Sequence, residues 1–287
     1  RERAPSQVTV VARCINKPQR VRQRFTHAPR LNHRPGRCCR TPPRAVDNRV
    51  VTSAATNPPA LRRFTLHHVA RLLDARRRTE GRGVFFVQIG AMDGVSFDPI
   101  HPLVTELGWS GLLVEPLPDH FERLKSNYSG VEALRFENCA VADHTGTVDL
   151  HRIPPEVVER GELPDWANGV SSLFNDRNVL GGRKASPEDW AVIQRERIAQ
   201  PVACMTLPDL LERHAIDHID LLQIDTEGAD WMVLRQVPFE TMRPAVIHME
   251  HYNLPDDERH RAIDLLLKWE YAVRSDHKDL LATRLLV

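Results

Sequence analysis

The sequence predicts an α/β fold, a mainly parallel sheet with helices on both faces. Three observations carry this reading. From about residue 61 onward, short apolar runs bounded by turn residues alternate with helix-length amphipathic stretches. The run Val84–Ile89 is apolar at almost every position, as a strand buried on both faces must be. The chain also closes on two apolar runs joined around Ser275–Lys278, which are placed to pair as an antiparallel hairpin edge.

The elements follow in order. Leu61, Phe64, Val69, Leu72 and Leu73 recur at helical spacing, predicting a helix across roughly 60–79 that Gly81 and Gly83 end. The first strand follows directly. After Gly90–Gly94 comes a helix over 99–107, with Pro99 in its first turn and Gly108 at its end. A second strand at 111–114, a helix at 118–127, a third strand near 133–141 and another over 147–152 come next. Residues 153–200 break this rhythm with scattered Pro and Gly and two isolated tryptophans, Trp166 and Trp190. So long an irregular stretch inside an α/β chain reads as a functional insertion or lid. Regularity returns with Val202–Met205, a helix over 207–214, strand Ile219–Ile224, a helix over 229–236 and strand Ala245–Met249. A helix over 256–268 and strands near 270–275 and 279–286 complete the chain.

Charge divides the 287 residues into two unlike parts. Residues 1–60 hold 13 Lys and Arg against 2 Asp and Glu, together with eight of the 21 prolines. Such a stretch buries too little apolar surface to offset its ordering entropy, so a disordered basic Pro/Arg-rich tail is expected there. A targeting segment or an anionic-surface tether is the sharper alternative. Residues 61–287 hold 26 basic against 36 acidic residues and form the expected folded domain. No run is long and apolar enough to span a membrane. With only Phe25 among the basic residues of the tail and no recognition fold, nucleic acid is not expected as a partner. Five cysteines without a framework fit a reducing, cytoplasmic setting; Cys139 and Cys204 read as buried small hydrophobes.

The chemistry is concentrated where strands end. Phe86-Val87-Gln88-Ile89-Gly90-Ala91-Met92-Asp93-Gly94 is a strand entering a Gly-x-x-x-Gly turn before a helix. Glycine there lets backbone amides approach a ligand closely, although such a turn can also serve packing alone. Glu115, 21 residues after Gly94, stands at the next strand tip, where a carboxylate can accept hydrogen bonds from both hydroxyls of a ribose. Pro116 follows it, and Ala142 stands just past the third strand. The loop lacks the Gly-x-Gly-x-x-Gly that brings a backbone against pyrophosphate. Its Asp93 would repel a pyrophosphate but suits the ammonium of a methionine-like tail, which favours S-adenosylmethionine over NAD. A second cluster, Ile224-Asp225-Thr226-Glu227-Gly228-Ala229-Asp230, ends another buried strand. Asp225 reads as functional, and Glu227 reads equally as a helix cap or a site residue. His251, after His248-Met249-Glu250, is the histidine best placed for general-base work.

These stretches, with Gly111-Leu112-Leu113-Val114-Glu115-Pro116 and Val170-Ser171-Ser172-Leu173, resemble the FkbM family of S-adenosylmethionine-dependent methyltransferases, in family order from about 84 to 285. The resemblance implies a class I methyltransferase (Rossmann-like) fold: a seven-stranded, mainly parallel sheet with an antiparallel C-terminal strand. It also implies O-methylation of a hydroxyl on a sugar, glycan or polyketide-type metabolite. Met92 stands where the family often has Asn, and Gln88 where many members have Asp. Gln88 cannot supply a formal charge, which shifts that role toward Asp93. Gln88, Gly90, Ala91, Asp93, Gly94, Glu115, Pro116, Ala142 and Asp225 are the expected cofactor residues. His251, Asp225 and Glu227 are the expected catalytic groups, with His251 slightly ahead as the base and no metal ligand assigned. Trp166 and Ser171-Ser172 are candidates for the acceptor pocket or for anchoring the insertion. Two other classes compete: a metal-dependent O-methyltransferase in which Asp225 and neighbouring acids hold Mg²⁺, and a non-catalytic protein tethered by its tail. The partner expected is a small-molecule or glycan acceptor; the sequence leaves the oligomeric state open.

Overall fold

The computed structural model describes residues 65–175, 179–180, 185–276 and 278–285. The basic stretch 1–60 lies outside them. The first helix, α1 (Leu66–Thr79), turns Leu66, Val69, Ala70 and Leu73 inward. Three arginines, Arg76–Arg78, fill its last turn, where cations complement the helix dipole. Strand β1 (Phe85–Ile89) and α2 (His101–Leu107) follow, then β2 (Ser110–Val114), α3 (Pro118–Asn127) and β3 (Leu134–Glu137). β4 (Ala140–Val141), β5 (Gly146–Arg152), α4 (Pro155–Glu159), β6 (Ser171–Ser172), α5 (Pro187–Glu196) and β7 (Ile198–Met205) make up the middle of the domain. The last third runs α6 (Leu207–Arg213), β8 (Leu221–Ile224), α7 (Asp230–Leu234), β9 (Val246–Glu250), α8 (Asp256–Lys268), β10 (Ala272–Ser275) and β11 (Asp279–Thr283).

Seven strands form the main sheet in the order β10-β11-β9-β8-β1-β2-β3. β11 alone runs against its neighbours; it pairs antiparallel with both β9 and β10, and the β10–β11 hairpin is the expected one. The central strands pair in parallel, Gln88 opposite both Leu113 and Gln223. Their side chains divide by the two-residue period of a strand. Val87, Ile89, Leu112, Val114, Leu222, Ile224, Ile247 and Met249 pack on one face, with residues of α6, α7 and α8. Phe86, Leu113, Leu221 and Val246 pack on the other, with residues of α1, α2 and α3.

The middle of the chain departs from the expected single sheet. The predicted strand near 133–141 splits into β3 in the main sheet and β4 in a second, four-stranded sheet ordered β4-β7-β5-β6. β5 and β7 belong to this second sheet, pairing antiparallel over seven positions. The insertion also has regular structure of its own. Ser186 caps α5 by accepting from the Asp189 backbone N–H, with Pro187 at the first helical position. Ile153, Val157, Leu163, Ala167, Leu180 and Ile193 form a separate small core beneath it. The two layers are clamped where Arg152 donates to both carboxylate oxygens of Asp119 on α3, at 2.6 and 2.9 Å. Among the described residues, no helix is long and apolar enough to cross a membrane. Cys139 and Cys204 are buried free thiols, as expected.

Candidate active site

A cavity of about 380 Å³ opens at the carboxyl ends of β1, β2, β8 and β9, and Trp166, Val170 and Ser171 of the insertion line it too. This is where an open parallel sheet places its ligands. β1 and β8 converge tightly here: a Cβ on Gly90, whose φ is +83°, would lie 1.8 Å from the Asp225 carbonyl oxygen. Only glycine fits. The amides of Gly90 and Ala91 both donate to the Val114 carbonyl at 3.0 Å, tying the turn to β2. Gly94, whose φ is +73°, is held by packing as well, since a Cβ there would meet Leu124 of α3 and Tyr128 at its end at 2.5 Å.

Glu115 is buried at the tip of β2. One carboxylate oxygen accepts from the Met92 amide at 2.8 Å and the other from the Leu117 amide at 2.9 Å. Burial pushes its pKa up to about 8, against the pull of those two amides. Each oxygen keeps a further lone pair for a hydroxyl donor. Asp93 spends its carboxylate locally: Oδ1 accepts from the amides of Val95 and Ser96, and Oδ2 from the Ser96 hydroxyl. Partial burial opposes its charge, but these hydrogen bonds and Arg123 hold its pKa below the ordinary value.

Across the cavity, Asp225, Glu227 and Glu250 each place a carboxylate oxygen within 4.8 Å of the others. Asp225 is open to the cavity. Desolvation and repulsion from Glu227, Glu250, Asp230 and Asp279 raise its pKa well above the usual carboxylate range. Asn253 donates to both Glu227 and Glu250. Glu227 does not cap α7, whose N-cap is Ala229 without a side-chain cap bond; Asp230 holds the turn before the helix, accepting from the amides of Thr226 and Gly228 at 3.0 Å. The Ser172 hydroxyl donates to the Glu227 carbonyl at 2.8 Å, so it anchors the insertion to this turn, whereas Ser171 faces the cavity.

The structure therefore gathers Gln88, Gly90, Ala91, Glu115, Pro116, Asp225 and Glu227 around one cavity. Asp93, Gly94, Ala142 and His251 lie off it, each for a physical reason. Asp93 caps its own loop and Gly94 packs on α3. The amide of Ala142 donates to Met205 of the second sheet, leaving its neighbours Ala140 and Val141 at the cavity. His251 is buried with Nε2 at 3.0 Å from the Asp276 carbonyl, against the hairpin. Strand parity explains its turn: on β9, His248 and Glu250 share one side and Met249 takes the other. His248, not His251, lines the cavity. Its Nδ1 lies 2.7 Å from Gln223 Oε1, and burial pushes its pKa down to about 4, so it is neutral at pH 7. Asp98, Glu250 and Asp279 also line the cavity and were not singled out from sequence. The period-two pattern of β9 was the one signal that could have found Glu250.

A seven-stranded sheet of this order, with its last strand reversed and a cavity at its carboxyl edge, defines a class I methyltransferase fold. The chain belongs to the FkbM methyltransferase family: residues 88–281 match the methyltransferase FkbM domain. A search of curated proteins finds no match. Among solved structures the chain is similar to methyltransferase FkbM from Methylobacillus flagellatus, with 14% identity and a TM-score of 0.40, covering 69% of this chain. The chain spans only 43% of that protein's length. It is similar to precorrin-6y C5,15-methyltransferase from Geobacter metallireducens, at 11% identity and a TM-score of 0.35, over 79% of this chain and 94% of that one. It is also similar to the METTL16 methyltransferase domain, at 10% identity and a TM-score of 0.39, over 76% and 66%.

Proposed function

We propose that this chain transfers a methyl group from S-adenosylmethionine to a hydroxyl of a sugar, glycan or polyketide-type acceptor. The observation that carries the reading is the shared cavity. Glu115, the Gly90 turn, Asp225, Glu227 and His248 all line it. The residues fit such a cofactor. Gln88 Oε1, Asp98 Oδ2 and His120 Nε2 are buried without a hydrogen-bond partner among the described residues, and all three residues line the cavity. Glu115 would hold the ribose hydroxyls, with the Gly90–Ala91 backbone close beside it. When bound, the cofactor supplies an electrophilic methyl on a sulfonium sulfur. The chain's own residues orient the acceptor oxygen and take its proton. Asp225 is the base in this reading, because its raised pKa lets it hold the departing proton. His248 keeps Nε2 as an acceptor while Nδ1–H is engaged by Gln223. The insertion, through Trp166 and Ser171, shapes the acceptor side.

One observation favours a second reading. Three carboxylates within 4.8 Å of one another can share a divalent cation, which would acidify the acceptor hydroxyl in place of a base. Two measurements test these readings. Binding of labelled S-adenosylmethionine by wild type but not by Glu115→Ala supports the ribose assignment, and equal binding refutes it. Transfer to a panel of glycans and hydroxylated metabolites, with and without EDTA, then separates the base from the metal; transfer that survives EDTA excludes the cation.

A further inference from the structure

We infer that Asp98 is the carboxylate that binds the ammonium of the cofactor's amino-acid tail, supplying through its contact with Gln88 the charge that Gln88 lacks. This rests on the cofactor reading above and assigns a residue that the loop sequence alone placed elsewhere. Gln88 is 3% exposed, on the last turn-ward stretch of β1, and its Nε2 donates to Asp98 Oδ1 at 3.1 Å. The same oxygen accepts from the Ile100 amide at 2.7 Å. These two hydrogen bonds use one oxygen of Asp98, and the His101 backbone N–H also lies against its carboxylate. The other, Oδ2, is buried without a partner among the described residues, as is Gln88 Oε1, and both residues line the cavity.

Two buried acceptors without donors, on side chains in contact with each other, form an incomplete set. Leaving them so costs desolvation energy that a ligand with several N–H donors would recover. An ammonium carries three donors and one positive charge, which matches a carboxylate oxygen and an amide oxygen on two contacting side chains. Burial also raises the Asp98 pKa to about 6, against the pull of its hydrogen bonds from Ile100 and Gln88 and of nearby His101. Asp93 lies off the cavity lining, and its carboxylate accepts from Val95 and Ser96 of its own loop. A purely structural Asp98 would need only Oδ1, and asparagine could supply that oxygen equally well.

That difference sets the test. Binding of S-adenosylmethionine and of 5′-methylthioadenosine, which keeps the nucleoside but lacks the amino-acid tail, is measured by calorimetry at pH 7.5. Asp98→Asn is expected to weaken S-adenosylmethionine by about 10- to 100-fold, the range for one charge-assisted contact. It is expected to leave methylthioadenosine within about threefold, a margin well inside one such contact. The double variant Gln88→Asp with Asp98→Asn returns a carboxylate to the strand tip and is expected to recover most of the loss. Equal weakening of both ligands, or none, overturns the assignment. If wild type binds neither nucleoside, the cofactor reading itself fails, an outcome distinct from a selective failure of Asp98.

Discussion

Glu115 makes the sharpest prediction. Its folded-state pKa is raised from 4.5 to about 8, mainly by burial. A carboxyl whose pKa is higher folded than unfolded binds more protons in the native state, so its contribution to stability falls as pH rises between those two values. At about 1.4 kcal/mol per pH unit, the window from 4.5 to about 8 corresponds to a loss on the order of 4–5 kcal/mol. Replacing it with glutamine removes the titration. Glu115→Gln also sets an amide N–H₂ against one of the two backbone donors, Met92 or Leu117, at a pH-independent cost of about 1–3 kcal/mol. Urea midpoints for wild type and Glu115→Gln at pH 5, 6, 7 and 8 separate the two effects. The variant should be less stable at pH 5, and the gap should close or reverse toward pH 8. Asp98, Asp230 and Asp279, raised to about 6, are common to both proteins and cancel in the difference. Parallel curves for the two proteins across this range would refute the reasoning. Hydroxyl donors in the cavity favour the ionised form, so wild-type stabilisation by bound nucleoside should grow from pH 6 to pH 8.

Other perturbations follow from the same geometry. Arg152→Ala removes the clamp between the second sheet and α3 and should cost about 1–3 kcal/mol, because Asp119 is part-exposed and screened; calorimetric Tm reads this. The hydrogen bond and charge of Arg152 hold the Asp119 pKa down at about 2. Its share of stability is present above the ordinary pKa of 3.8 and is lost as pH falls toward 2, so wild type and Arg152→Ala should converge in acid. Gly90→Ala forces a Cβ onto the Asp225 carbonyl and should cost about 3 kcal/mol or more while abolishing cofactor binding; normal binding with normal Tm would contradict the convergence of β1 and β8. With an acceptor in hand, Asp225→Asn should lower turnover by about 10²- to 10⁴-fold and flatten its pH profile, whereas His251→Gln should change it little. The reverse order would restore His251 as the base.

Much of the fold is legible in the chain because its signals are local. The apolar runs of β1, β2 and β9, the glycines of the first turn and the helix patterns of α3 and α8 each depend on residues a few positions apart. Acids at strand tips are equally visible, and Glu115, Asp225 and Glu227 do reach one cavity. The second sheet is not legible, because β5 and β7 are joined by pairings some fifty residues apart that no local period encodes.

What the sequence determined by itself was the order of elements, the family motifs and the clustering of carboxylates at the strand ends. Tertiary structure decided which of those side chains share the cavity. Direction at a strand tip is set by the parity of the last paired residue, and one step turns a side chain to the opposite face. That step separates His248 and Glu250 at the cavity from His251 against the hairpin. In the first loop, hydrogen bonds set the two acids apart: Asp93 folds back onto its own turn, and the path of the chain brings Asp98 against Gln88, ten residues away.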